Sequence, residues 1–283
     1  MKPLRIVALT LAAMALPALL QAQSFEGKIQ QREIVVSMSG LNALLYSDEE
    51  AEEAEVADVI FDIPLAEILA LADEHGEEAV QVTDLTFYVG TDRMRVEAEV
   101  ELMPGYMIMD FESAALRMVM PTQRMYLEIT AEDMQTLQEQ FGDELEAEEK
   151  DEAEVRALGL TREINGMTCE AYEIRMGDAL SRTWVSNELR DLVTAFAGFM
   201  TRMEAFSMEE DEGLEVFVLM QEHGFPVLEQ TLYDYGWEQQ YEISEIVSVE
   251  RGPVAAEKFT IPADFERRSF MEMMQMFGGE GGD

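Results

Sequence analysis

The sequence predicts a mainly β (α+β) protein, a strongly curved antiparallel sheet or open half-barrel covered by a few helices. Three observations predict it. Met94, Val96, Ala98, Val100 and Leu102 alternate with Arg93, Arg95, Glu97, Glu99 and Glu101, the period of a strand with one face in an apolar interior and the other in water. Behind them Tyr106–Asp110, Ala115–Pro121 and Arg124–Glu128 read as short strands separated by turn signals at Pro104-Gly105, Glu112-Ser113 and Pro121. Further along, Leu189, Leu192, Val193, Phe196, Phe199, Met200 and Met203 recur at helical spacing, a wide apolar stripe suited to lie across a sheet. Closely spaced antiparallel strands of this kind make a container or platform more often than a catalytic cleft.

The elements follow in order. Lys2 and Arg5 form a basic start before the apolar run Ile6–Leu20, which is short for a membrane span, so residues 1–22 are expected to be a signal peptide cut near Ala22. Residues 23–265 then read as one β-rich domain. Phe25 to Met38 is its first strand, with Ile29, Ile34 and Val36 as apolar positions. Leu41 to Val82 is an insertion: an acidic run Asp48–Glu55, then Pro64 opening a helix that ends near His75-Gly76. Thr130 with Asp133 is an N-cap for an acidic helix through Arg156, on which Met134, Leu137 and Phe141 form the apolar stripe. Strand periodicity returns at Thr168–Met176 and Leu180–Val185, before Asn187 caps the second helix. Leu214–Met220, Phe225–Tyr233 and Trp237–Val249 are three further strands, and Phe259–Pro262 closes the domain. Residues 266–283 form a tail rich in Met and Gly.

Charge narrows the partners. The formal net charge is -40, and loss of Lys2 and Arg5 with the signal takes it to -42. Such a surface repels nucleic acid and anionic lipid headgroups. No second apolar run is long enough to span a membrane, so a soluble exported protein, periplasmic or secreted, is expected. Only Lys28, Lys150 and Lys258 remain as lysines, and an acid-rich, lysine-poor surface suits a salty medium that screens self-repulsion. Cys169 is the single cysteine, so it forms no intramolecular disulfide; Met167, Ala171 and Tyr172 around it fit a buried, inert thiol.

Phe25-Glu-Gly-Lys28 opens a series of landmarks that continues with Thr86 to Glu97, including Arg93-x-Arg95-x-Glu97, then Ile108-x-Asp110 and Met120-Pro121 with Met125-Tyr126. Asn165 to Tyr172, Thr183-Trp-Val185 and Lys258-Phe-Thr-Ile-Pro262 follow in order. Together they resemble the exported bacterial family known as domain of unknown function 4412. The resemblance covers most of Phe25 to Phe265; the acidic insertion and the tail depart from it. The family has no assigned reaction. Its layout is similar, at the level of fold alone, to the open barrels of periplasmic lipoprotein carriers of the LolA and LolB type.

The chemistry-bearing residues point away from catalysis. His75 and His223 stand in unlike contexts and support neither a zinc spacing nor a triad, and no Gly-rich phosphate loop or Gly-x-Ser-x-Gly is present. No enzyme activity, cofactor or metal is expected. Met107, Met109, Met118, Met120 and Met125 supply soft surface that either fills a core or lines a pocket for variable apolar ligands. As a pocket, Met118, Met120 and Met125 line it with Phe87, Tyr106, Trp184, Phe196 and Trp237. The functional expectation is a non-enzymatic periplasmic binder of an apolar small molecule, a lipid or a hydrophobic segment of an envelope protein. The alternative is an envelope interaction module with a packed core. A third reading is Cu(I) bound by thioethers, including Met271, Met273, Met274 and Met276 of the tail, although that stretch also reads as a short amphipathic helix.

Overall fold

The computed structural model describes residues 25–45, 56–98, 105–130, 132–133, 136, 153–194, 220, 222–235 and 239–269. The expected signal segment, the acidic run before Val56, the stripe of the acidic helix and the tail methionines lie outside these residues.

The fold is mainly β with a few helices, and its twelve strands form one open sheet. Strand β1 (Gly27–Val36) is followed by helices α1 (Met38–Leu45), α2 (Val56–Val59) and α3 (Leu65–His75). A meander comes next: β2 (Val80–Val89), β3 (Arg93–Ala98), β4 (Tyr106–Asp110), β5 (Ala115–Met120) and β6 (Met125–Thr130). A second meander starts with β7 (Glu154–Ile164), β8 (Met167–Met176) and β9 (Ala179–Ser186). It ends with β10 (Phe225–Asp234) and β11 (Gln239–Arg251), before β12 (Glu266–Ser269). The spatial order is β12-β6-β5-β4-β3-β2-β1-β11-β10-β9-β8-β7, so β1 sits in the middle and joins the two meanders through β11.

Local chemistry explains the turns. Asn165 (φ 48°) and Gly166 (φ 80°) connect β7 to β8, the two-residue left-handed turn that Asn-Gly favours because it matches strand twist. Thr130 and Asp133 cap each other: the Thr130 backbone N–H and hydroxyl donate to Asp133 Oδ2 at 2.8 and 2.7 Å, and the Asp133 N–H donates to Thr130 Oγ1 at 3.2 Å. Helix α3 ends at His75, where the Gly76 N–H closes on the Ala72 carbonyl.

The β7–β11 half of the sheet is strongly curled. Asn165 Nδ2 donates to the Ile246 carbonyl at 2.8 Å and to Glu245 Oε1 at 2.9 Å, although β8 and β11 are separated by β9 and β10. Strands about 4.8 Å apart could not bring these groups together on a flat sheet. Register slips at Gln30/Gln31, Ala157/Thr161 and Pro226/Leu228 supply local bending.

Directly opposed residues share a face. The series Asp84, Arg32, Glu245, Leu228, Trp184, Ala171 follows one face across the ladder. The helices pack there. Ile60, Phe61, Ile68 and Leu71 are buried with Ile34, Val36, Trp184, Tyr241 and Ile243 in one cluster. Burying each large aliphatic side chain contributes about 1.5–3 kcal/mol. Tyr241 Oη accepts from Gln230 Nε2 at 2.7 Å and donates to the Ile60 carbonyl at 3.5 Å, while Phe61 meets Tyr241 edge to face at 6.1 Å. The concave side of this half is thus filled by the insertion.

Several details correct the sequence reading. β12 pairs in parallel with β6, so the sheet is not wholly antiparallel, and ordered strand continues beyond residue 265. Residues 154–164 form a strand, not the end of an acidic helix. The cap before residues 187–194 is Ser186, whose side chain accepts from the Glu188 N–H, while Asn187 Oδ1 receives Arg190 instead. Leu189, Leu192 and Val193 are buried as the stripe requires; its remaining residues lie outside those described.

Candidate apolar binding face

The ladder aligns Ile29, Phe87, Val96, Met107, Met118 and Leu127 in one row across β1 to β6; at its β1–β3 end Ile29 and Val89 belong to the insertion-covered cluster and Phe87 and Met94 pack against it. Beside this row, Val89, Met94, Met109, Leu116 and Ile129 make a second one. Met120 faces Met125 at the end of β5 and β6. Phe87, Met94, Met107, Met109 and Met118 are only half-buried, whereas Leu127 is 2% exposed. Unbranched thioethers that still meet water form an adaptable apolar surface.

The other face of the same strands is held by charge. Asp110 receives Arg93 at 3.5 Å and Arg117 at 3.4 Å, and Glu128 receives Arg117 at 2.7 Å and Arg267 at 2.6 Å. Partial burial works against the Asp110 carboxylate, yet hydrogen bonds from Ser113 and Arg117 hold its pKa below the ordinary value. Arg95 lies 3.4 Å over the Tyr106 ring, pairs with Glu97 at 2.7 Å and donates to the Lys258 carbonyl at 2.9 Å. The Arg-x-Arg-x-Glu stretch therefore secures the back of the sheet, and the methionines occupy its front. Ile108 and Val119 are buried on this back face, so both faces carry apolar positions rather than one.

Four of the sequence-predicted lining residues, Phe87, Met118, Met120 and Met125, share the apolar face. Tyr106 lies on the opposite face under Arg95. Trp184 is buried in the insertion-covered core, with the Arg162 guanidinium 3.9 Å above its ring. Phe196 and Trp237 lie outside the described residues. Trp184 shares one apolar cluster with Ile29 and Val89, against which Phe87 and Met94 pack, whereas Met118, Met120 and Met125 are not part of that cluster.

The core groups are poor reagents. Cys169 is buried, and burial pushes its thiol up to about 11 despite the counteracting Arg162 charge. Arg162 is itself lowered, first by burial, although Cys169 opposes the shift. Among the described residues, no group of three or more His, Cys, Asp or Glu is arranged to hold a metal ion.

The apolar face changes chemistry beyond β1. Glu33, Ser244, Glu229, Thr183 and Tyr172 form one cross-strand row, and Glu242, Thr231 and Ser181 form the next. Ser181 and Thr231 share a 2.9 Å hydrogen bond. Gln31 donates to Glu33 and, at 2.9 Å, to Ser244. The Thr183 hydroxyl is buried with no hydrogen-bond partner among the described residues. Burial, then the neighbouring charges of Glu33 and Glu242, raises the Glu229 pKa. Burial is also the leading reason that Glu33 is raised, with Gln31 and Ser244 pulling the other way. Sequence reading missed this row, because its members come from five separate strands. The local signal was the polar run Glu229-Gln230-Thr231 set between Leu228 and Leu232 of one strand.

No curated protein matches the chain. Among solved structures, two crystal forms of PNGF-II align over 89% of this chain and 33% of theirs, at 8% and 7% identity with TM-scores of 0.36 and 0.35. MucB in complex with MucA(peri) aligns over 84% of this chain and 56% of its own, at 9% identity and TM-score 0.32. The chain thus spans about a third of the PNGF-II structures and about half of MucB. The model of a family described as a domain of unknown function, DUF4412, matches residues 75–265, and the chain belongs to that family.

Proposed function

We propose that the protein is a non-enzymatic, exported binder that holds an apolar ligand against the Phe87–Met118 face. Export rests on the basic start and short apolar run of residues 1–20, which have signal-peptide character. The observation that carries the binding role is the cross-strand row Ile29, Phe87, Val96, Met107, Met118, Leu127, with Phe87 and two methionines still half-exposed. An apolar surface left partly in water gains free energy from a ligand that covers it, about 25 cal/mol per Å² buried. The non-enzymatic reading rests on an inert Cys169, on His75 and His223 standing far apart in the chain, and on the engagement of Asp110 and Glu128 in ion pairs.

An apolar fluorescent probe such as N-phenylnaphthylamine tests this reading. Wild-type protein should bind it saturably, and Met107→Gln with Met118→Gln should weaken binding about tenfold, because each inserts an amide into the apolar row. Unchanged probe affinity in a folded double variant would remove the proposal.

A second reading, an envelope interaction module, is favoured by β7. It is an edge strand, and Val155 and Leu160 are 44% and 48% exposed on it, so an extended partner segment could pair there. Val155→Lys with Leu160→Lys would oppose strand addition at this edge while leaving probe binding intact.

A further inference from the structure

We propose that the acid and hydroxyl end of the same face takes the cationic head of an amphiphile whose apolar body lies along Ile29, Phe87 and Met118. This names the ligand class for the binding face described above and rests on that reading.

Three features carry it. Glu33, Glu229 and Glu242 lie on β1, β10 and β11 and point to the same side. Glu33 and Glu229 both oppose Ser244, which places them about 10 Å apart across two strand spacings. Each of the three residues keeps partial solvent exposure. Second, none of these carboxylates belongs to an ion pair among the described residues, whereas the carboxylates behind β3 to β6 are matched by arginines. Third, Thr183 is fully buried in the row directly opposite Glu229, and its hydroxyl has no hydrogen-bond partner among the described residues. A buried, unsatisfied hydroxyl beside an unneutralised carboxylate is costly unless something completes the set.

The size of the site selects an organic cation. A metal ion requires convergent ligands at about 2.0–2.6 Å, and no such group of acids occurs among the described residues. An ammonium head can instead donate to one of these carboxylates at about 2.8 Å, while the others, on strands up to about 10 Å away, add longer-range attraction. The register also supplies continuity. Gln31 and Ile29 follow Glu33 at alternate positions of β1, and Ile29 begins the apolar row. Four residues of strand separate Glu33 from Ile29 by about 13 Å, which an alkyl chain spans.

The test compares dodecylamine, dodecanol and dodecanoate binding to the full-length mature protein by calorimetry, below their aggregation concentrations and at fixed ionic strength. The amine should bind at least tenfold tighter than the alcohol, and dodecanoate weakest. Glu229→Gln should reduce the amine-to-alcohol ratio to threefold or less, with dodecanol affinity unchanged. Thr183→Val should lower amine affinity about threefold. Glu154→Gln on the exposed edge β7 makes the same charge change away from the row and should leave the ratio intact. If Glu229→Gln preserves the preference, general attraction to an acidic protein explains it and the head site is wrong. Equal binding of all three ligands also overturns the head site while leaving the apolar face standing. Failure of all three to bind overturns both.

Discussion

Replacing Glu229 by Gln removes a charge that burial and the nearby Glu33 and Glu242 already disfavour. Its folded pKa lies above the ordinary 4.5, so the native protein holds a proton there more tightly than the unfolded chain. Between those two values the folded state carries more protons, and this group's contribution to stability falls as pH rises. Glu229→Gln should therefore stabilise the ligand-free protein at pH 7, with the gain vanishing below pH 4.5. Urea melts at pH 7 and pH 4 check the sign. Tyr241→Phe should cost about 1 kcal/mol, because it leaves Gln230 Nε2 and the Ile60 carbonyl without their shared hydroxyl. An unaltered midpoint would mean that these buried bonds contribute nothing net.

At the scale of elements, the insertion helices are structural parts of the core. Ile68 on α3 is fully buried against the curled half of the sheet, so Ile68→Ala should lower stability by about 2–5 kcal/mol in a urea melt. A loss below 1 kcal/mol would show that α3 docks only loosely. The sequence made some of this legible. Arg93, Arg95 and Glu97 alternate with Met94, Val96 and Ala98, and the two sets do occupy opposite faces. Asn165-Gly166 carries a turn signal, since few other pairs adopt two left-handed residues, but the sequence reading used it only as a family landmark. Strand β7 was hidden, since nearly all of it is exposed on both faces and its Glu, Arg, Ala and Leu residues also suit helices. Strand β12 is Glu-Arg-Arg-Ser, chosen by pairing with β6 rather than by propensity. Tyr106 could not be oriented from sequence, because both faces of Tyr-Met-Ile-Met-Asp are apolar. The separation of Trp184 from Met118 depends on register accumulated across many strands, information that local period does not contain.

For the whole molecule, the two meanders are joined within the described sheet where β1 pairs with β11, residues more than 200 positions apart in sequence. Such long-range pairing makes for slow folding, and a substitution such as Ile34→Ala at this seam should raise the unfolding rate as well as lower stability. The net charge of -40 adds self-repulsion that salt screens. The melting temperature should consequently rise between low salt and about 1 M NaCl; a fall would contradict the reading of the surface as suited to a salty medium. The same charge concentrates organic cations near the protein, while the apolar row supplies the contact that retains one. The most direct measurement of that central claim is native mass spectrometry of the protein isolated from its own cell envelope, released gently and without detergent. A discrete adduct carrying an apolar chain, lost in the Met107→Gln, Met118→Gln variant, is the expected result; a bare mature chain in every preparation would contradict it.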